Sequence, residues 1–258
     1  MIKLMALDVD GVVRDSSTLV YECYRIGLDE IGLGKRFLEE FTVKDLWHFK
    51  GLGRLNSKRE SIKAIAVLLN IENKPRIYDM IKRQDAEAFI WNLVSMNSEK
   101  CPDDETVDGM VDAYADMFES EDAEKLVRIY PDVEETINKV HAAGKEISIV
   151  TNSGINSVKR DVPDSIISLC SNIITPKDVT MAKPSGEGLK LLSERSGVIP
   201  EGIIYLGDAV IDIRAAKDAG CISGALLCGM GLKKHLEMES PDHIFKDMNE
   251  AGEWITNN

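Results

Sequence analysis

The sequence contains no uninterrupted apolar run of the roughly 18 residues that a membrane-spanning helix requires. Its five cysteines are odd in number, and neither they nor the four histidines show the short spacings of a zinc site. The first residues are typical of a buried strand and not of a signal or transit peptide. We therefore expect a cytoplasmic protein with reduced thiols, no zinc and no membrane partner.

Basic residues are outnumbered by acidic ones. The chain has 31 lysines and arginines against 44 aspartates and glutamates, which gives a formal net charge of −13 at pH 7. Nucleic acids and anionic membranes bind proteins through clustered lysines and arginines, so neither is expected as a partner. The 258 residues allow one or two domains, and a hydrophobic fraction of 44% is enough to fill a core.

Three largely apolar runs are each followed within two residues by a polar side chain. The runs are residues 2–7, 147–150 and 203–206. Asp8 and Asp10 follow the first run, Thr151 follows the second, and Asp208 follows the third, with Asp212 four residues later. Short apolar runs that stop at acids and glycine are typical of buried strands. Because ligands bind at the carboxyl ends of the strands in an open parallel sheet, we expect these side chains to meet at one edge.

Four carboxylates in one pocket repel one another, and such contacts cost several kcal/mol unless solvent or a counter-ion intervenes. A divalent cation would relieve this repulsion. Mg²⁺ is the most suitable ion, because it accepts carboxylate oxygens, keeps several waters and binds phosphate as a further ligand. Lys183, in the sequence Ala-Lys-Pro, would add an ammonium group to the same set.

Taken in order, these motifs resemble the four motifs of the haloacid dehalogenase (HAD) superfamily, and they are most similar to its phosphoglycolate phosphatase and β-phosphoglucomutase branch. The matching segments are Asp8-Val-Asp-Gly-Val-Val-Arg-Asp-Ser16, Thr151-Asn-Ser153, Lys183-Pro184 and Gly207-Asp-Ala-Val-Ile-Asp-Ile-Arg-Ala-Ala-Lys-Asp-Ala-Gly220. The resemblance implies a Rossmann-like core with a helical cap inserted after the first motif. It covers nearly all of the core, whereas the cap matches only in position and helical character.

Between residues 19 and 128 the pattern is helical, without the short β-branched runs found on either side. The predicted helices are residues 19–31, 34–40, 58–69, 76–93 and 103–118. Ser57 followed by Glu60 predicts a capping box at the start of the third helix. A helical insert of this size indicates a second domain.

Beyond this insert, strands alternate with helices, which is typical of a parallel sheet covered on both faces. We therefore expect an α/β fold, a Rossmann-like doubly wound parallel sheet with an inserted all-helical cap domain. The predicted domains are a catalytic core of residues 1–15 and 129–258 and a cap of residues 16–128.

The resemblance also implies roles for the core residues. Asp8 would attack phosphorus and form an aspartyl phosphate, which divides one difficult displacement into two easier ones. Asp10 would act first as general acid and then as general base. Thr151 would hydrogen-bond a phosphate oxygen, with help from Asn152 or from backbone N–H groups. Lys183 would pair with Asp8 and the phosphate.

The implied metal ligands are the carboxylates of Asp8 and Asp208 and the backbone carbonyl of Asp10. Asp212 lies one helical turn after Asp208 and would hold a metal-bound water or orient Lys183. Gly11 would provide the turn at the phosphate site. The alternative for Asp208 and Asp212 is a purely structural role, as a helix cap and as an acid that the helix dipole favours in the first turn.

Two further positions are candidates for contact with substrate. In residues 47–56 two glycines would make a mobile loop, in which Lys50 and Arg54 could meet the leaving group; a solvated turn between helices is the alternative. Arg14 is unusual, because the family more often has a small or polar residue there. It could contact substrate at the hinge or be exposed.

The function implied is a Mg²⁺-dependent phosphatase that hydrolyses a small phosphomonoester metabolite resembling phosphoglycolate or a sugar phosphate, acting as a monomer or weak homodimer. A sugar-phosphate mutase of the β-phosphoglucomutase type shares every core residue and differs only in the acceptor of the phosphoryl group. A non-catalytic binding protein would typically lack Asp8 or Asp10, and both are present. Haloacid dehalogenation is disfavoured, because it needs no metal and lacks the second acid.

Overall fold

The computed structural model describes residues 1–258. The chain divides into two compact units, which we call the α/β unit (Met1–Ser16 and Val127–Asn258) and the helical unit (Ser17–Leu126). None of the helices combines the length and the apolar character that crossing a membrane requires.

The α/β unit contains eight strands. They are β1 (Leu4–Leu7), β2 (Arg14–Asp15), β3 (Arg128–Ile129), β4 (Glu146–Val150), β5 (Cys170–Ile174), β6 (Ile203–Gly207), β7 (Ile222–Leu226) and β8 (His243–Phe245). Six of them form one parallel sheet in the order β5-β4-β1-β6-β7-β8, and β2 and β3 form a separate antiparallel pair. In the register of the sheet, Leu4 of β1 is opposite Glu146 on one side and Ile203 on the other. The carboxyl ends of β4, β1 and β6 are therefore neighbours at one edge.

The helical unit contains seven α-helices. They are α1 (Ser17–Asp29), α2 (Gly34–Glu40), α3 (Val43–Lys50), α4 (Lys58–Leu69), α5 (Ile77–Ile81), α6 (Ala86–Met96) and α7 (Asp104–Glu119). Short 3-10 helices lie at Gly53–Asn56, Ser98–Lys100 and Glu121–Leu126. Apolar residues three and four apart give α4 a fully buried face that includes Ile62, Ile65 and Leu69. The helical unit thus has a hydrophobic core of its own.

Seven further α-helices belong to the α/β unit. They are α8 (Val133–Ala142), α9 (Ile155–Asp161), α10 (Asp164–Ile167), α11 (Glu187–Ser196), α12 (Val210–Ala219), α13 (Lys233–Met238) and α14 (Met248–Asn257), with a 3-10 helix at Pro200–Gly202. Because side chains alternate along a strand, Met5 and Leu7 of β1 pack into one core with α8 and α14, whereas Leu4 and Ala6 pack into another with α11 and α12. Both faces of the sheet are covered. This confirms the predicted α/β fold with a doubly wound parallel sheet.

The helix predicted over residues 76–93 is wrong, because the structure has α5 and α6 with a break between them. At the break, the guanidinium of Arg83 donates two hydrogen bonds to the carboxylate of Asp85, at 2.7 and 3.0 Å. Residues two apart do not face each other on a helix, so this local pairing is incompatible with a continuous helix.

The loop predicted over residues 47–56 is also largely wrong. Its first four residues are the end of α3, and its last four form a 3-10 helix. The predicted capping box at Ser57 does not form, because Ser57 also ends that 3-10 helix and its side chain makes no capping hydrogen bond. The capping box of the helical unit lies instead at Thr42 and Asp45, at the start of α3.

Candidate active site

The first acid of the site continues the ladder of the central strand. The N–H of Asp8 donates to the carbonyl of Leu206 at 3.0 Å, and only 7% of Asp8 is exposed. The chain then turns at Gly11, whose φ is +81° and whose N–H donates to the carbonyl of Arg14 at 2.8 Å. A Cβ at Gly11 would lie 1.9 Å from Oδ2 of Asp208. Glycine is therefore required here both by the backbone conformation and by the approach of this carboxylate.

Lys183 joins the ends of two strands to the start of α12. Its ammonium nitrogen lies 2.9 Å from Oδ1 of Asp8, 2.7 Å from Oδ1 of Asp212 and 2.7 Å from the hydroxyl oxygen of Tyr205. Burial alone would lower the pKa of Lys183, but the carboxylates of Asp212 and Asp8 outweigh it and raise that pKa. The group is therefore a fixed positive charge within the site.

Three carboxylates lie close together beside this ammonium group, which contacts those of Asp8 and Asp212. Ligand oxygens of Asp8, Asp208 and Asp212 all lie within 4.8 Å of one another, and all three residues are buried. Burial, opposed by Lys183, raises the pKa of Asp8 to about 6, and burial with the neighbouring acids raises the pKa of Asp208 well above its usual value. Three buried acids facing one lysine leave an excess of negative charge when they ionise, which a cation would neutralise.

The hydrogen bonds of Asp208 leave one oxygen available for such a cation. Oδ2 accepts a hydrogen bond from the N–H of Met230 at 2.6 Å, whereas Oδ1 is buried and has no hydrogen-bond partner. A buried carboxylate oxygen without a partner is costly, and oxygen is the donor that Mg²⁺ and Ca²⁺ prefer. The residues present therefore fit a divalent cation at Asp208 and Asp8.

Asp212 is engaged differently, because both of its oxygens already have partners. Oδ1 accepts from Lys183, and Oδ2 accepts from the N–H of Ala209 at 2.9 Å, so that Asp212 caps the start of α12. Of the two roles expected for this residue, the contacts favour the orientation of Lys183.

Asp10 is not part of this trio, and donors from three side chains surround its carboxylate. It accepts hydrogen bonds from Nε of Arg14 at 2.8 Å and from the hydroxyl of Ser16 at 2.5 Å. It also accepts a shorter one from the hydroxyl of Ser153. Burial would raise the pKa of Asp10, but Arg14, Ser153 and Ser16 hold it at about 2. Asp10 is thus ionised in this structure, and its orientation is fixed by three side chains.

The residues after β4 have separate tasks. Thr151 is buried, and its hydroxyl oxygen accepts a hydrogen bond from the N–H of Ser153 at 3.1 Å. The amide group of Asn152 makes a reciprocal pair with the backbone of Lys183, at 3.0 and 3.1 Å. Asn152 therefore holds the Lys183 segment in place with its side chain.

The two candidate leaving-group contacts lie in the helical unit and have partners within it. Lys50 is 8% exposed, and its ammonium group donates to the carbonyl of Asn56. Arg54 lies over the ring of Trp91, 4.1 Å from its centre, and pairs with Glu60 at 2.9 Å. Their contacts give no support to the role expected for them in substrate binding.

Tyr205 has a clear task in the site and is absent from the expectations, whereas Arg14 was expected either to contact substrate or to be exposed. Tyr205 accepts from Lys183 and donates to the carbonyl of Val150 at 2.7 Å. Its signal in the sequence is the one polar atom in an otherwise aliphatic run, which needs a partner when buried. Arg14 is fully buried, so the alternative that it is exposed is wrong.

Comparisons with known proteins agree with this geometry. The model of the family described as haloacid dehalogenase-like hydrolase matches residues 5–226. A phosphoglycolate phosphatase from Salmonella typhimurium is 33% identical over 136 residues, which is 52% of this chain and 54% of that enzyme. The one from Escherichia coli K12 is 32% identical over the same length. The chain thus spans about half the length of the curated relatives it matches.

Solved structures share the fold over almost the whole chain. The alignment with a predicted phosphoglycolate phosphatase from Haemophilus somnus covers 98% of this chain and 97% of that chain, with a TM-score of 0.69 and 20% identity. A HAD family hydrolase from Deinococcus radiodurans, solved with bound phosphate and sodium, covers 97% and 93%, with a TM-score of 0.65 and 16% identity. At these identities the likeness concerns the fold alone. The match of the family model over most of the sequence shows that this chain belongs to the haloacid dehalogenase-like hydrolase family.

Proposed function

We propose that this protein is a Mg²⁺-dependent phosphatase that hydrolyses a small phosphomonoester through an aspartyl phosphate on Asp8. The observation that supports this most strongly is the group of three buried carboxylates around Lys183, in which Asp208 has an oxygen without a partner. Such a group suits a cation and a phosphate dianion together, since each compensates the charge of the other. The α/β unit is assigned as the catalytic core and the helical unit as the cap.

In the first step, an oxygen of the Asp8 carboxylate attacks phosphorus, and the bond from phosphorus to the leaving oxygen breaks. The electron pair of that bond stays on the leaving oxygen, which takes a proton from Asp10. Asp10 is ionised in this structure, but the negative charge of a bound phosphomonoester raises the pKa of a neighbouring carboxyl, which favours the protonated acid in this step. Lys183 stabilises the charge that develops on the transferring group.

In the second step, water attacks phosphorus in the aspartyl phosphate, and its proton passes to the carboxylate of Asp10. The bond from phosphorus to Asp8 breaks, which releases inorganic phosphate and restores the Asp8 carboxylate. Asp10 thereby regains the proton it gave in the first step, so the cycle is balanced. General acid and base catalysis by one residue in two successive steps is an economical use of a single carboxyl.

Asp8 and Asp208 would hold the metal, with the backbone carbonyl of Asp10 as a further oxygen donor. When bound, Mg²⁺ would supply Lewis-acid stabilisation of the phosphoryl oxygens and neutralise the acids. Asp212 would keep Lys183 oriented, and Tyr205 would support the same ammonium group from the side of the sheet. Phosphoryl transfer depends mainly on such positioning and electrostatic stabilisation.

The similarity to phosphoglycolate phosphatases makes phosphoglycolate the first substrate to test, followed by sugar phosphates and nucleotides. We expect phosphate release that requires Mg²⁺, stops on addition of EDTA and is lost in Asp8→Asn. Asp122→Asn, a change of the same chemistry at an exposed site, should behave as the parent. The proposal fails if the parent releases no phosphate from any of these compounds, or if Asp8→Asn releases it at the parent's rate.

The same assay separates the hydrolase from a mutase. With β-glucose 1-phosphate and a bisphosphate primer, a mutase would form glucose 6-phosphate without free phosphate. We expect free phosphate instead.

A further inference from the structure

Arg14 is the largest side chain in the chain that is fully buried. A buried guanidinium keeps its charge and its five N–H donors, so the fold must supply partners for it. Two of those donors meet the two oxygens of one carboxylate: Nε lies 2.8 Å from Oδ1 of Asp10, and Nη2 lies 3.2 Å from Oδ2. This bidentate geometry fixes the plane of the carboxylate as well as its position.

The other side of the guanidinium is anchored to α9. Nη1 donates to the carbonyl of Ser157 at 3.0 Å and makes a short ion pair with Asp161, whose side chain is fully buried. Ser157 and Asp161 are four residues apart and therefore lie on one face of the helix. Arg160 also pairs with Asp161, at 2.6 Å.

The backbone brings Arg14 back to Asp10 through a tight turn. The N–H of Arg14 donates to the carbonyl of Val9 at 3.0 Å, and the carbonyl of Arg14 accepts from Gly11. Arg14 then lies on β2, opposite Ile129 of β3. Its reach to Asp10 is thus set by the rigid turn on one side and by α9 on the other.

We propose that Arg14 is a positioning residue that holds the Asp10 carboxyl where it can pass its proton to the leaving oxygen. This inference rests on the proposed function, in which Asp10 gives that proton in the first step and recovers it from water in the second. Arg14 does not touch the phosphoryl group in this scheme. It acts through Asp10, as a planar fork that a single ammonium group can replace only in part.

A misplaced Asp10 would affect substrates unequally. An alkyl phosphate such as phosphoglycolate has a poor leaving group that needs a proton as the bond to phosphorus breaks. p-Nitrophenyl phosphate has a good leaving group that departs as the anion without one. Loss of positioning should therefore slow the departure of the leaving group from phosphoglycolate far more than from p-nitrophenyl phosphate.

The test is Arg14→Met with both substrates in the presence of Mg²⁺. We expect kcat/KM for phosphoglycolate, which reports the steps up to the departure of the leaving group, to fall on the order of 10- to 100-fold, a part of the roughly 100- to 10,000-fold that general acid catalysis contributes. For p-nitrophenyl phosphate we expect kcat/KM to fall less than about threefold, because its leaving group departs without a proton. Arg14→Lys should recover part of the loss with phosphoglycolate.

Arg160→Met is the matched control, because it removes the other arginine from Asp161 and leaves the contacts of Arg14 with Asp10. The ratio of the two kcat/KM values should stay at the parent's value in this variant. Arg14→Met alone leaves Asp161 with one arginine fewer and could unfold the protein. The pair Arg14→Met with Asp161→Asn removes both charges together, and the same change in ratio is expected in it.

An equal fall in kcat/KM for both substrates, or no fall, in a folded Arg14→Met or double variant would overturn the proposal. A crystal structure of the same variant provides a test that does not depend on activity. We expect the Asp10 carboxylate to rotate out of its present position, and an unmoved carboxylate would also overturn the proposal. If the parent releases no phosphate at all, the proposed function fails, and the crystal structure alone decides whether Arg14 positions Asp10.

Discussion

The hydroxyl group of Tyr205 connects the ammonium group of Lys183 to the end of a neighbouring strand. It accepts a hydrogen bond from Lys183 at 2.7 Å and donates one to the carbonyl of Val150 at 2.7 Å. A hydroxyl group has one proton to give, and the carbonyl of Val150 at 2.7 Å is the nearer acceptor, since Oδ1 of Asp212 lies 3.4 Å away. Lys183 is therefore held on one side by a neutral acceptor and on the other by two carboxylates.

Tyr205→Phe keeps the ring and removes these two hydrogen bonds. We expect the free energy of unfolding to fall by about 1–3 kcal/mol, because buried partners lose their bonds. Activity with phosphoglycolate should fall about tenfold, because the charged group loses part of its orientation. Denaturant unfolding and steady-state phosphate release measure the two effects.

Tyr130→Phe is the control for this change. The hydroxyl of Tyr130 makes a long hydrogen bond of 3.4 Å to the carbonyl of Cys228. Its loss should leave activity near that of the parent. An equal loss of activity in both variants would contradict a specific role for Tyr205.

Gly11→Ala should remove the site by steric conflict. Its φ of +81° costs an alanine about 1–2 kcal/mol, and the added Cβ would in addition lie 1.9 Å from Oδ2 of Asp208. We expect a loss of Mg²⁺-dependent phosphate release together with lower stability. Gly144→Ala has the same φ, but its Cβ would meet nothing within 4 Å. Gly144→Ala should therefore lower the stability but leave the activity unchanged.

Asp8→Asn should stabilise the metal-free protein at neutral pH. The pKa of Asp8 is raised from 3.8 to about 6 by burial. Between these two values the unfolded chain loses the proton while the folded chain keeps it, so stability falls as pH rises through this window and stays lower above it. The loss is about 3 kcal/mol at most, and asparagine avoids it. Thermal unfolding in EDTA at pH 4 and pH 8 should show the gain only at pH 8.

Asp10→Asn should have the opposite effect and lower the stability of the protein at neutral pH. The pKa of Asp10 is lowered from 3.8 to about 2, despite burial, by Arg14 and its hydroxyl donors. Its contribution to stability is present above pH 3.8 and is lost as pH falls through about 2. We expect this variant to be about 2 kcal/mol less stable than the parent at pH 7. A gain in stability at pH 7 would contradict the ion pair with Arg14.

Mg²⁺ should stabilise the folded protein whether or not a substrate is present. At 100 times its dissociation constant the ion would add about 2.7 kcal/mol, because it binds only the folded chain. Asp208→Asn should abolish this shift in melting temperature, since it replaces the carboxylate whose Oδ1 has no partner. Asp218→Asn changes an exposed acid on α12 and should leave the shift intact. A full Mg²⁺ response in Asp208→Asn would rule out the proposed metal site.

The sequence was sufficient for the sheet and for the convergence of the main acids. Apolar runs that end at Asp8, Thr151 and Asp208 predict parallel strands, and such strands place their carboxyl ends side by side. The approach of the Asp8 and Asp208 carboxylates to within 4.8 Å follows from that rule. The starts of helices were harder to predict. Ser57 has the capping pattern, but it also ends a 3-10 helix, which decides its local geometry, and it makes no capping hydrogen bond. The capping box forms at Thr42 instead.

What the sequence by itself determined was the set of groups that reach one edge of the sheet, since strand order and alternation depend on local pattern. Only the tertiary structure decided which partner each group takes. Arg14 pairs with Asp161, which is 147 residues away in the sequence, and Asp10 accepts a hydrogen bond from Ser153, which is 143 residues away. Such pairs form because burial removes water from charged groups and leaves whichever partner the packing of distant helices brings within reach, and no local pattern encodes that choice.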